Sequence, residues 1–171
     1  MSGPIFGVIG WKNSGKTTLV ARLVEEFTER GLKVSAIKHA HHSFDIDYPE
    51  RDTYKLREAG ASQVAIVSPK RWALMHELRG DPEPAFEHIV SHIGLCDLIL
   101  VEGFKNGPFP KIEARSTRSL TKDALANKDE NIVAIASDHE IGSSSLPRFS
   151  LDDVTGIADF ISDFLSLEPG R

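Results

Sequence analysis

A chain of 171 residues with an apolar share of 40% is long enough for one domain with a real core. Its formal net charge of −5 argues against a general nucleic-acid binder, and its single cysteine, Cys96, excludes an intrachain disulfide. No stretch approaches the roughly 18 apolar residues of a membrane span, and no basic n-region precedes the first apolar run, so a cytoplasmic protein without a membrane segment is expected.

Pro4 to Ile9 is a short apolar run ending at Gly10 and predicts a buried strand. Lys16 to Arg30 predicts a helix, with Leu19, Val20, Leu23, Val24 and Phe27 on one face and Gly31 placed to end it. Lys33 to Ile37 predicts a second strand, so strand, helix and strand form a parallel βαβ unit. His39 to Glu50 is polar and reads as a loop. A short helix is expected over Asp52 to Ala59, closed by Gly60. Val64 to Val67 and Trp72 to Met75 flank Ser68-Pro69-Lys70-Arg71 and read as a hairpin. Pro84 to Ile93 carries Phe86, Ile89, Val90 and Ile93 at helical spacing. Leu98 to Val101 is the most apolar strand, with Cys96 beside it as a core residue. Residues 103–131 are rich in Gly, Pro and charge and read as a long connection with one strand near Lys111 to Ala114. Ile132 to Ala136 predicts a last buried strand. Asp153 to Leu165 predicts a closing helix with Asp152 as its N-cap.

The chemistry begins at Gly10-Trp11-Lys12-Asn13-Ser14-Gly15-Lys16-Thr17, which has the G-x-x-x-x-G-K-[ST] spacing of a phosphate-binding P-loop. It follows a predicted strand and opens a predicted helix, which is the context the motif requires. Gly10 and Gly15 permit backbone angles that a Cβ opposes. The amides from Asn13 to Thr18 then point at phosphate oxygens, and the helix N-terminus adds partial positive charge. Lys16 reaches the β- and γ-phosphates, and the Thr17 hydroxyl ligates Mg²⁺. The candidate nucleotide-binding residues are therefore Gly10, Trp11, Lys12, Asn13, Ser14, Gly15, Lys16, Thr17 and Thr18. The expected fold is α/β: a single P-loop NTPase-like domain over residues 1–171, with a mostly parallel sheet, helices on both faces and an added antiparallel hairpin.

Ligands of open α/β sheets bind beyond the carboxyl ends of the strands, so partner residues must follow their strands. Asp97 and Glu102 bracket one strand and lie about 16 Å apart at ~3.3 Å per residue. Only Glu102 is at the P-loop end, where it would bind Mg²⁺ or position water, and it is the one candidate for a catalytic carboxylate. Asn127-Lys128-Asp129-Glu130 resembles a guanine-reading element but precedes its strand and is rejected. Asp138 follows that strand. It either accepts hydrogen bonds from guanine N1–H and the 2-amino group or is a satisfied turn residue. Asp45 and Asp47 follow the second strand as alternating carboxylates, either metal ligands or members of a solvated loop. Asp52 is read as an N-cap or a site residue. His39, His41 and His42 match no closed zinc site and are read as facing a substrate or partner.

Together, GWKNSGKTTL, IKHAHHSFDIDYPERDTYKLREAGA, RWALM, LILVEGFK and the final IVAIASD look like the molybdopterin-guanine dinucleotide biosynthesis adaptor family, MobB, over most of the chain. The resemblance implies GTP and Mg²⁺ as ligands, slow hydrolysis at best, and a homodimer. It implies as partner the guanylyltransferase that attaches GMP to molybdopterin, with molybdopterin itself as a further ligand. It moves Asp138 towards guanine contact. His39, His41, His42, Asp52 and Arg115 become candidates for facing molybdopterin or the partner. VEG also resembles dethiobiotin synthetase, which keeps a small-molecule kinase or ligase as the alternative. Related dimeric ATPases carry a second lysine five residues before the P-loop lysine. Here that position is Trp11, so activation across a dimer by that device is not expected. Gly103 and Phe104 follow Glu102 and offer no side chain to orient water, so weak turnover is expected.

Overall fold

The structure is a computed structural model that describes residues 3–40 and 44–168. The described residues fall into two compact units, one of residues 3–39 and 89–168 and one of residues 40 and 44–88.

In the first unit, β1 (Ile5–Ile9), β2 (Val34–Lys38), β5 (Leu98–Glu102), β6 (Lys111–Arg115), β7 (Ile132–Ser137) and β8 (Arg148–Ser150) form one sheet in the order β2-β5-β1-β6-β7-β8. Every pairing in it is parallel. All six carboxyl ends therefore lie along one edge. The helices of this unit include α1 (Lys16–Glu29) and α4 (Val154–Leu165). Their apolar stripes meet one face of the sheet. Leu19, Leu23 and Phe27 of α1 and Ile157, Ala158 and Ile161 of α4 share a core with Phe6, Val8, Leu98, Leu100, Ile112, Ala114, Ala134 and Ala136. Phe27, Leu23 and Leu100 are wholly buried, and each such side chain contributes about 2 kcal/mol.

The opposite face has a different covering. Strand side chains alternate, so Lys111 and Glu113 of β6 point away from the helical core that holds Ile112 and Ala114. Both charged residues are buried. The Lys111 ammonium donates to the carbonyls of Lys105 and Gly107, at 2.8 and 2.9 Å, and to the Asp129 carboxylate. Glu113 accepts from the amides of Leu125 and Ala126 at 2.9 Å each, and pairs with Arg115 at 2.7 Å. The strand expected near Lys111 to Ala114 is β6, and the segments on either side of it, 103–110 and 116–131, are bound to this face by its charged residues. Lys-Ile-Glu-Ala-Arg reads as polar because its charged positions face these segments rather than water.

The second unit contains α2 (Asp52–Glu58) and an antiparallel pair, β3 (Gln63–Val67) and β4 (Trp72–His76). Its hairpin is as predicted, closed by Ser68, whose amide donates to the Arg71 carbonyl at 2.8 Å. α3 (Phe86–Ser91) runs across the division between the units. It is shorter than the Pro84 to Ile93 expected, and none of its residues is buried.

Two readings need correction. The N-cap of α4 is Asp153, whose carboxylate accepts from the Gly156 amide at 3.0 Å; Asp152 instead pairs with Arg22 at 3.0 Å. β8 is absent from the sequence reading because three residues with one half-buried apolar side chain leave too short a pattern.

Lys111→Met is expected to destabilise the fold by about 3 kcal/mol, because it leaves Asp129 and two carbonyls without their partner. Urea unfolding followed by circular dichroism measures it.

Candidate nucleotide site

The amino terminus of α1 has no cap of its own. Its N-cap position is Gly15, at φ 88°, with no side-chain cap bond and no acid in the first turn. The orphan amides and the positive end of the helix dipole are left for an anion. Gly10 permits the approach to this turn: a Cβ there would lie 2.4 Å from both Ser14 Oγ and the Ala114 carbonyl oxygen. Asn13 also adopts a left-handed conformation, at φ 64°, which asparagine tolerates better than most residues. Ser14 Oγ is buried and makes no hydrogen bond among the described residues.

Lys16 Nζ donates to the Trp11 carbonyl at 2.7 Å. Burial pulls its pKa below the ordinary lysine value; Glu102 acts the other way, while Lys105 and Lys38 add to the lowering. Three cations thus share one field beside the uncapped helix end. Trp11, the second residue of the loop, is fixed from two sides. Its indole Nε1 donates to the Asp123 carbonyl at 2.8 Å, and Lys105 Nζ sits 3.7 Å from its ring centroid. Lys12 and Thr18 are exposed.

Thr17 Oγ1 donates to Glu102 Oε1 at 2.7 Å. The two residues come from the start of α1 and the end of β5, which strand polarity places at one edge. Hydroxyl and carboxylate oxygens are the hard donors Mg²⁺ takes, so the pair fits that ion. Asp97, at the other end of β5, accepts from the Lys33 amide at 2.7 Å, an anchoring role in keeping with its exclusion. After Glu102 come Gly103, with no side chain, and Phe104, whose ring is stacked on His39 at 4.3 Å between centroids. His39, expected to face a ligand or partner, packs there, with its amide on the Glu102 carbonyl at 2.9 Å.

Asp138 lies at the carboxyl end of β7, as the polarity rule requires. Its Oδ1 accepts from the Thr117 amide and faces His139 Nδ1, both at 2.8 Å, and its Oδ2 accepts from Ser116 Oγ at 2.5 Å. Burial pushes this carboxyl up, but the bonds from Ser116, His139 and Thr117 prevail and hold it well below the usual carboxylate range. The residue both anchors the loop after β6 and keeps its charge. Arg115 lines a cleft of about 390 Å³ with Asn127, Ile135 and Ser143 to Ser145. Asp129, the variable position of the rejected Asn-Lys-x-Asp likeness, is the partner of Lys111.

The second unit holds Asp45, Asp47 and Asp52. Arg57 takes both oxygens of Asp45, at 2.9 and 3.0 Å, and holds its pKa down at about 2. Asp47 is buried, accepts from Thr53 Oγ1 at 2.9 Å and lies 3.8 Å from Arg57 Nε. Both acids, read as either metal ligands or members of a solvated loop, are engaged with Arg57 in their own loop. Asp52 is the first residue of α2, after the N-cap Arg51, and pairs with Lys55 at 3.0 Å; the N-cap reading fails by one residue. His41 and His42 lie outside the described residues.

Lys38, Lys105, Glu113, Ser116 and Thr117 are absent from the sequence reading. The polarity rule that found Glu102 would also have found Lys38, the last residue of β2. Nothing in the local pattern marks Glu113 or Ser116, because their roles depend on pairing across the sheet.

No helix among the described residues is long and apolar enough to cross a membrane. Residues 5–138 match the family MobB, molybdopterin guanine dinucleotide synthesis protein B. The chain is 34% identical to the molybdopterin-guanine dinucleotide biosynthesis adapter protein of Escherichia coli K12, over 98% of this chain and 96% of that protein. It is 38% identical to the adapter of the same name in Haemophilus influenzae, over 95% and 89%. The crystal structure of Bacillus subtilis MobB superposes with a TM-score of 0.74 at 26% identity, covering 96% of this chain and 99% of that one. The P-loop, the single parallel sheet and the match along nearly the whole length agree: the chain belongs to the MobB family of molybdopterin-guanine dinucleotide synthesis proteins.

Proposed function

We propose that this protein is a GTP-binding adapter that serves the guanylyltransferase joining GMP to molybdopterin, and that it holds its nucleotide rather than turning it over quickly. The observation that carries the reading is the uncapped start of α1, with Lys16 folded beside it and Thr17 bonded to Glu102. The free amides and Lys16 would bind the phosphates, and Thr17 with Glu102 would hold Mg²⁺, which shields phosphate charge when bound. The adapter role rests on the family and on the relatives' names, and guanine as the base on the dinucleotide those names carry. Slow turnover is supported by the residues after Glu102: Gly103 has no side chain and Phe104 is stacked on His39, so neither can orient a water.

Lys16→Ala is expected to weaken GTP binding by about a hundredfold or more with the fold intact, since it removes a charged phosphate contact. Calorimetry with GTP and ATP, beside circular dichroism, tests this. Unchanged affinity, or a wild-type preference for ATP with fast turnover, would sink the proposal.

Asp138→Asn is expected to lower the ratio of GTP to ATP affinity more than it lowers binding of either nucleotide's phosphates. An equal loss for both nucleotides would assign Asp138 to loop anchoring alone.

The dimer belongs to the same proposal. Strand register puts Ala65 and Val67 of β3 on one face with Trp72 and Leu74 of β4. Val67, Trp72 and Leu74 are 75%, 69% and 45% exposed, an apolar face of the kind a second copy covers. Sedimentation is expected to show two chains for the wild type and one for Trp72→Lys with Leu74→Glu.

A further inference from the structure

Lys38 is the last residue of β2 and the register partner of Glu102 on β5, so the two side chains leave the sheet on the same face. Its ammonium lies 3.2 Å from Glu102 Oε2 and 3.3 Å from Thr17 Oγ1. Thr17 Oγ1 lies 2.7 Å from Glu102 Oε1. The ammonium therefore touches both residues assigned to the metal. A threonine hydroxyl has one proton and two lone pairs. Here the proton goes to Glu102, and an oxygen lone pair accepts from Lys38. That lone pair is what a hard cation needs, at about 2.1 Å from the oxygen. An ammonium and a divalent cation cannot share this position, because two positive charges would sit within a few ångströms of each other.

We propose that Lys38 is a tethered cation for the metal position. It neutralises Glu102, 11% exposed at its side chain, and orients Thr17 until Mg²⁺ takes its place, so that a nucleoside triphosphate can bind before the divalent ion. Lys38 itself is 59% exposed at its side chain, so its stem can swing out without disturbing the core. This rests on the nucleotide reading above and adds an order of events to it. It also gives the site a way to keep nucleotide when the free metal concentration is low.

The test compares Lys38→Met with wild type, using a fluorescent GTP analogue titrated in EDTA and in saturating Mg²⁺. Lys38→Met is expected to lose about tenfold or more in affinity in EDTA and less than about threefold in Mg²⁺, with Lys38→Arg close to wild type in both. An equal loss in both conditions makes Lys38 an ordinary phosphate contact and overturns the proposal, as does no loss in EDTA. A second readout needs no nucleotide. Mn²⁺ binding followed by electron paramagnetic resonance is expected to tighten at least about threefold in Lys38→Met, because the competing charge is gone. Unchanged or weaker Mn²⁺ binding overturns the competition. Should the wild type bind no nucleotide while Mn²⁺ tightens in the variant, the nucleotide reading fails and the competition for Thr17 and Glu102 stands.

Discussion

Thr17 Oγ1 donates a 2.7 Å hydrogen bond to Glu102, and this bond joins the start of α1 to the end of β5. It can form because β5 runs parallel to β1 and beside it, with Val8 opposite Glu102. The same sheet brings Lys38 alongside through the β2–β5 pairing. A parallel arrangement delivers every strand's last residue to one edge, so a helix that begins there meets several strand ends at once. α1 is held over that edge by Leu19, Leu23 and Phe27, which pack against Phe6, Leu98 and Leu100. The loop before α1, Thr17 and Glu102 thus stand on elements that cannot move apart without opening the core.

The second support is electrostatic. Lys111 and Glu113 point into the sheet's other face and are covered by chain. Burying a charge is costly unless it is paired and hydrogen-bonded. Each of these charges meets that condition by binding the segments that flank β6, Lys111 through Lys105, Gly107 and Asp129 and Glu113 through Leu125 and Ala126, with Arg115 of the same strand as a further partner of Glu113. These segments in turn supply Lys105 and the Asp123 carbonyl that fix Trp11 in the P-loop. A pair of buried charges roughly a hundred residues beyond the P-loop motif therefore shapes the surroundings of Trp11.

Much of the fold was legible because its signals are local. The stripe Leu19, Leu23, Phe27 and the runs Ile5 to Ile9 and Leu98 to Val101 announce their elements by period and by length. Strand direction in the sequence separates Glu102 from Asp97 and sets Asn127 to Glu130 at the amino end of its strand. The acidic loop was less legible. Asp45 and Asp47 have the spacing of metal ligands, but Arg57, ten or more residues further on, engages them. An alternating pair of carboxylates looks the same in sequence whether its counter-charge is an ion or a guanidinium.

The sequence by itself determined the P-loop, the α/β class, the polarity of the site and the family, because each rests on spacing within a short window or on similarity along the chain. Tertiary structure alone decided the strand order, the burial of Lys111 and Glu113, the double duty of Asp138, and the place of Lys38 between Thr17 and Glu102. Those facts depend on which strands become neighbours and in what register. That choice is made by packing across the whole sheet, and no single segment encodes it.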